Sequence, residues 1–150
     1  MSDHLRSLIR DVPDFPSPGI LFRDITPLLS DADALRETMA AVAKPFVNEV
    51  IDVVVGIEAR GFILGTPVAL ALGTGFVPAR KEGKLPAETL KTSYDLEYGS
   101  TSIEIHRDAI ASGQRVLIVD DVLATGGTAR AVGELVEQLG GEIVGFAFLL

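Results

Sequence analysis

Apolar residues recur along the chain with two different periods. Leu5, Leu8, Ile9 and Val12 stand at i, i+3, i+4 and i+7, the spacing of one helical face, so a short amphipathic helix is expected over residues 3–12, capped by Ser2 or Asp3. The run Pro13-Asp14-Phe15-Pro16-Ser17-Pro18-Gly19 can continue neither a helix nor a central strand. Ile20-Leu21-Phe22 is a brief apolar stretch closed by Arg23-Asp24 and Thr26-Pro27. A second helix is expected from near Ser30 or Asp31, with Leu35, Met39, Val42, Ala43 and Phe46 on one face and Pro45 ending or kinking it. From Asp52 onward the pattern changes. Val53-Val54-Val55-Gly56-Ile57 and Arg115-Val116-Leu117-Ile118-Val119 are continuous β-branched and aliphatic runs, as expected of parallel strands covered on both faces. Residues 75–79 and 142–150 add two more apolar strands. Residues 61–72, ending at Gly73, and 128–139, ending at Gly140-Gly141, read as the intervening helices. Strands alternating with helices predict an α/β fold: an open, mainly parallel, twisted sheet flanked by helices. Residues 81–106 break the pattern, being charged and dotted with Gly and Pro. Residues 89–92 and 102–105 are weak strand candidates there, so a hairpin or mobile flap is expected, with Glu104 facing outward between Ile103 and Ile105.

Composition narrows the class. The 150 residues suit one domain, and 47% hydrophobic against 23% charged residues supports a folded core. The absence of cysteine removes disulfides, thiolate metal sites and a cysteine nucleophile. Thirteen Lys and Arg against 21 Asp and Glu give a net charge of −8, which argues against a duplex nucleic-acid binder. The start, Met1-Ser2-Asp3-His4, carries no basic segment followed by an apolar core, and no apolar stretch reaches membrane-spanning length. A cytoplasmic protein in contact with neither membrane nor nucleic acid is the expectation. His4 and His106 have no metal-ligand spacing.

The chemistry concentrates in residues 116–129, Val-Leu-Ile-Val-Asp-Asp-Val-Leu-Ala-Thr-Gly-Gly-Thr-Ala. A buried strand delivers two adjacent carboxylates, Asp120 and Asp121, to its C-terminal end, the edge at which ligands bind in open α/β sheets. The small residues Ala124, Thr125, Gly126, Gly127 and Thr128 then open a helix. Unpaired amides, the helix dipole and two threonine hydroxyls make such a turn a cradle for a terminal phosphate. It lacks the Gly-Lys-[Ser/Thr] ending of a triphosphate loop and is no dinucleotide fingerprint. The carboxylate pair can accept hydrogen bonds from the vicinal diol of a ribose.

This segment resembles the phosphoribosyl-pyrophosphate motif of the type I phosphoribosyltransferases. Gly19-Ile20-Leu21-Phe22-Arg23-Asp24-Ile25-Thr26-Pro27-Leu28, Glu58-Ala59-Arg60-Gly61-Phe62, Pro78-Ala79-Arg80-Lys81-Glu82-Gly83-Lys84-Leu85-Pro86 and Leu96-Glu97-Tyr98-Gly99 resemble the adenine-using branch of that family. The resemblance runs in order along nearly the whole chain. It implies transfer of 5-phosphoribosyl from phosphoribosyl pyrophosphate to N9 of adenine, giving AMP and pyrophosphate, with Mg²⁺ accompanying the donor through its oxygens and water rather than through direct protein ligands. A single domain is implied: residues 1–30 as a small base-binding hood, 81–106 as the flap and 116–129 as the donor motif.

The same resemblance assigns roles. Asp120, Asp121 and Ala124 to Thr128 would hold the ribose and its phosphate. Glu58, Ala59 and Arg60 would form the pyrophosphate loop, with a non-proline cis peptide at Glu58–Ala59. Arg80, Lys81 and Lys84 would reach pyrophosphate across a homodimer interface. Glu97, with Tyr98 beside it, would be catalytic, stabilising oxocarbenium-like charge or moving a proton as N9 attacks. Phe22 would stack on the purine, and main-chain groups near Leu21 and Arg23 would read its 6-amino edge. The resemblance implies that relatives continue beyond the run Phe146 to Leu150 and place an apolar residue of that extension on the second face of the base, so either this sequence is a truncated piece or base binding here is looser than in the family. A phosphoribosyltransferase for another base, such as a 6-oxopurine or xanthine, and a non-catalytic sensor of the donor are the rival readings.

Overall fold

The computed structural model describes residues 1–96 and 99–150, and its chain divides into two compact units, Met1–Ala41 and Val42–Leu150. In the first, α1 (Asp3–Ser7) is capped by Ser2, whose hydroxyl accepts from the Leu5 amide. The helix is shorter than its periodicity predicts. After Leu8 the chain extends into β1 (Arg10–Val12), which pairs antiparallel with β2 (Phe22–Asp24) in the register Arg10↔Asp24. Arg10 donates to one Asp24 oxygen through Nε at 3.0 Å and Nη2 at 2.7 Å. A ladder and an ion pair from a partner fourteen residues away outweigh the local helical spacing. Then follow α2 (Thr26–Ser30) and α3 (Ala32–Ala43), where Asp31 accepts from the amides of Asp33 and Ala34 at 3.0 and 2.8 Å. Leu5, Leu28 and Ala34 form a small apolar centre.

In the second unit a single turn, Lys44–Phe46, with Pro45 in its first turn, ends the helical run. The sheet comprises β3 (Val53–Ile57), β4 (Gly75–Lys81), β5 (Thr89–Asp95), β6 (Ser100–His106), β7 (Arg115–Asp120) and β8 (Glu142–Phe148), in the order β5-β6-β4-β3-β7-β8. Strands β4, β3, β7 and β8 are parallel, and the hairpin β5–β6 adds antiparallel on the β4 side. Every residue of β3 is buried, which is why its sequence lacks alternation. Two helices cover the sheet: α4 (Arg60–Leu72), stopped by Gly73 in the left-handed region at φ 69°, and α5 (Gly127–Gln138). Ala131, Val132, Leu135 and Val136 of α5 pack on Val53, Val55, Val116, Ile118, Ile103 and Ile105. Toward α4, Gly56 and Gly65 lie against the Phe76 ring, where an added Cβ would come within 2.5 and 2.9 Å. Among the described residues no helix is long and apolar enough to cross a membrane.

Glu104 departs from the sequence expectation. It is 8% exposed, and its Oε2 accepts from the Gly83 amide at 3.2 Å. Alternation along β6 correctly separates Glu104 from Ile103 and Ile105. It could not reveal that the turn after β4 folds over that second face, nor that β6 is flanked by β4 and β5.

Candidate active site

The C-terminal ends of β4, β3 and β7 lie side by side, because these strands are parallel neighbours. Each delivers part of one rim. From β7 come Asp120 and then the turn that enters α5, with Gly126 at φ 82°. The left-handed conformation at the helix entry costs glycine little, whereas a side chain there would be strained. Asp120, Ala124, Thr125, Gly126, Gly127 and Thr128 all line one small cavity of about 80 Å³, together with Val122, Leu123, Ala129 and Phe148. The Gly127 amide faces the Thr125 hydroxyl at 3.5 Å, so the turn is folded on itself around that space.

Asp121 lies elsewhere. It is 3% exposed, and its Oδ2 accepts from Nε of Arg60 at the start of α4. The carboxylate pair is therefore divided: one member borders the cavity, and the other joins the ends of β7 and β3. Asp120 is pushed up from 3.8 to about 7. Burial is the main cause and the Asp121 charge adds to it, while the Asp121 amide, donating to Asp120 Oδ1 at 2.9 Å, and the Arg60 charge oppose it.

A pH dependence of stability follows. Between about pH 4 and about pH 7 the unfolded chain has released the Asp120 proton while the folded chain still holds it. The contribution of this group to stability therefore falls as pH rises through that window. Asp120→Asn, which cannot ionise, is expected to flatten the decline, read as urea unfolding midpoints across the window. Identical slopes in variant and parent would assign the decline to other groups.

From β3 comes the Glu58–Ala59 peptide, which is cis, and then Arg60. Glu58 reaches sideways to β4: its Oε2 accepts from Nε of Arg80 at 3.2 Å and from the Lys81 amide at 2.9 Å. Arg80 also donates Nη1 to the Lys84 carbonyl at 3.4 Å, and its guanidinium stands 5.8 Å from the centre of the Phe62 ring. Carboxylates thus fix two arginines on the rim, while Lys81 and Lys84 are exposed. Such a rim gathers cations from a chain of net charge −8 and suits a polyphosphate.

Leu21, Phe22 and Arg23 belong to the first unit. Leu21 is exposed, Phe22 packs edge-on against Phe15 with ring centres 5.2 Å apart, and Arg23 lies 3.6 Å from Asp11. The adjacent Asp24 is held down at about 2, chiefly by the Thr26 amide and hydroxyl and then by Arg10. Glu97 and Tyr98 lie outside the described residues.

Two contacts near the cavity were not anticipated from the sequence. Phe148 of β8 closes one side of it, and the Tyr94 hydroxyl accepts from Thr128 Oγ1 at 2.9 Å. The alternation of Leu90, Thr92 and Tyr94 along β5 held a signal for the second, since it places Tyr94 on the face that turns toward α5.

The model of the phosphoribosyl transferase domain matches residues 29–150. The adenine phosphoribosyltransferase of Thermobifida fusca (strain YX) is 60% identical over 142 residues, covering 95% of this chain and 81% of the relative. The crystal structure of the Rhodothermus marinus adenine phosphoribosyltransferase superposes with a TM-score of 0.94 at 58% identity, covering 97% of this chain and 83% of that one. The Saccharomyces cerevisiae enzyme, solved with adenine and an imino-altritol bisphosphate, superposes with a TM-score of 0.87 at 45% identity, covering 95% and 86%. A family match over most of the chain, with relatives this similar in sequence and fold, shows that the chain belongs to the phosphoribosyl transferase domain family, among the adenine phosphoribosyltransferases.

Proposed function

We propose that the rim formed by β4, β3 and β7 carries out the purine-salvage reaction of this family. The 5-phosphoribosyl group passes from phosphoribosyl pyrophosphate to N9 of adenine: the N9–C1′ bond forms, the C1′–O bond to pyrophosphate breaks, and AMP and pyrophosphate leave. The observation that carries this assignment is the convergence of Asp120 and Ala124 to Thr128 on one cavity, beside an arginine-bearing strand end. In this reading the 5′-phosphate occupies the cavity, receiving hydrogen bonds from amides at the start of α5 and from the threonine hydroxyls. Asp120 faces the ribose hydroxyls. Asp121 acts by setting Arg60, which meets pyrophosphate together with Glu58–Ala59.

Mg²⁺ fits as a companion of the donor. Asp121 is engaged by Arg60 and Asp120 is driven toward neutrality, so both suit holding water around an ion better than ligating it. When bound, Mg²⁺ neutralises charge on the departing pyrophosphate. Arg80, with the exposed Lys81 and Lys84 beside it, reaches pyrophosphate across the interface of a homodimer. Phe22, with Leu21 and Arg23, receives the base: an aromatic face for stacking, worth roughly 1–3 kcal/mol, and main-chain groups for the 6-amino edge. Residues 1–30 serve as hood and 81–106 as flap of one catalytic domain, and the reaction is placed in the cytoplasm.

The test is direct. Incubation with adenine, phosphoribosyl pyrophosphate and Mg²⁺ is expected to yield AMP and pyrophosphate. Turnover with hypoxanthine and none with adenine would overturn the base assignment, and donor binding without turnover on any base would make the protein a sensor.

A further inference from the structure

The hydroxyl pair Tyr94–Thr128 is not explained by the reaction as described so far. Tyr94 lies near the end of β5, and Thr128 is the second residue of α5 and a wall of the cavity. Their oxygens are 2.9 Å apart, with Thr128 donating. The two elements also meet through their backbones. A Cβ added at Gly127 would lie 3.5 Å from the Tyr94 ring and 4.0 Å from the Asp95 carbonyl oxygen, so the strand end rests against the first turn of the helix.

A threonine hydroxyl has one proton and can donate only once. With Thr128 donating to Tyr94, as the oxygen geometry assigns, no second proton is left for an anion in the cavity. A phosphate monoester is mostly dianionic at neutral pH and offers mainly acceptors, so a hydrogen bond from Thr128 to it requires the Thr128 proton to turn toward it. The Thr128 oxygen then accepts, and the Tyr94 O–H is the group 2.9 Å away that can donate to it. We propose that Tyr94 is a positioning residue for the 5′-phosphate: it acts through Thr128, and the direction of the hydroxyl pair reverses when the phosphate binds. A hydroxyl that accepts a hydrogen bond donates more strongly, so the chain Tyr94→Thr128→phosphate binds better than Thr128 alone. The inference rests on reading the 124–128 turn as the 5′-phosphate cradle, and it adds a group from the hairpin to that cradle.

The test measures ribose 5-phosphate and pyrophosphate binding by calorimetry in the parent chain, Tyr94→Phe, Thr128→Ala and the double variant. Tyr94→Phe keeps the ring and removes only the hydroxyl. It is expected to weaken ribose 5-phosphate about threefold to tenfold, the worth of one net hydrogen bond, and to leave pyrophosphate unchanged. In the Thr128→Ala background the same change is expected to have no further effect, which a general packing role would not produce. If Thr128→Ala weakens ribose 5-phosphate but Tyr94→Phe does not, the role of Tyr94 is overturned and the cradle stands. Unaltered ribose 5-phosphate binding in Thr128→Ala overturns the cradle, and this inference with it. Equal weakening of both ligands by Tyr94→Phe, or an undiminished effect in the double variant, makes Tyr94 a packing residue only.

Discussion

Gly61→Ala is expected to cost about 1–3 kcal/mol of stability and to lower kcat/KM by about two orders of magnitude. A Cβ at Gly61 would lie 2.7 Å from the Val119 carbonyl oxygen, 3.1 Å from Asp120 Oδ1 and 3.4 Å from Asp120 Cα. Two of these three atoms are backbone, so no rotamer change relieves the clash. The start of α4 must move away from the end of β7, or Asp120 must shift. Either movement shifts Arg60, the preceding residue, against its partner Asp121, which follows Asp120, and so disturbs the proposed site. Gly75→Ala is the matched control, since a Cβ there meets nothing within 4 Å. It is expected to change stability by no more than about 0.5 kcal/mol. Urea unfolding and steady-state kinetics on the two variants make the comparison. Parent-like stability and turnover in Gly61→Ala would show that the seam between α4 and β7 relaxes freely and does not position the site.

The same seam marks the limit of what the sequence discloses. The strands β3 and β7, the helix α4 with its glycine stop, and the 124–128 turn are legible because their signals are local. Burial on both faces writes itself as an unbroken aliphatic run, and a small-residue turn after a strand is contiguous in the chain. The destination of Asp121 is not local. Nothing in the string Asp120-Asp121 says that one carboxylate borders a cavity while the other meets Arg60, sixty-one residues earlier. Glu104 departs from its pattern for a related reason: alternation assigns a face to a strand residue but not what covers that face. At the N-terminus the failure runs the other way. Leu5, Leu8, Ile9 and Val12 have helical spacing, yet Val12 pairs with Phe22 in a ladder, and the local period yields to a tertiary contact. Tyr94 shows how such gaps narrow, since its alternation on β5 and the position of Thr128 in the turn were each visible, and only their meeting required the fold.

Glu97→Ala is expected to lower kcat by about 10² to 10⁴-fold, the range for losing a positioned acid–base group, while the KM for phosphoribosyl pyrophosphate changes little. The asymmetry follows from when the carboxylate is needed. As the C1′–O bond lengthens, positive charge grows on the ribose ring and N9 of adenine becomes acidic. A carboxylate that stabilises that charge or accepts that proton interacts most strongly in the transition state, so its loss falls on turnover rather than on ground-state binding. The described residues on either side of Glu97 in the chain are ordered by pairing: Asp95 lies opposite Ser100, the Leu96 amide donates to the Gly99 carbonyl at 2.8 Å, and the Tyr94 hydroxyl meets Thr128 Oγ1. Glu97→Gln separates both of these duties from simple hydrogen bonding, for it keeps a hydrogen-bonding group and removes charge and basicity together. It is expected to resemble Glu97→Ala in kcat. A Gln variant restored to near-parent turnover would mean that Glu97 only bonds and orients. Equal losses in kcat and in donor affinity for the Ala variant would place Glu97 in binding and leave the proton of N9 to another group.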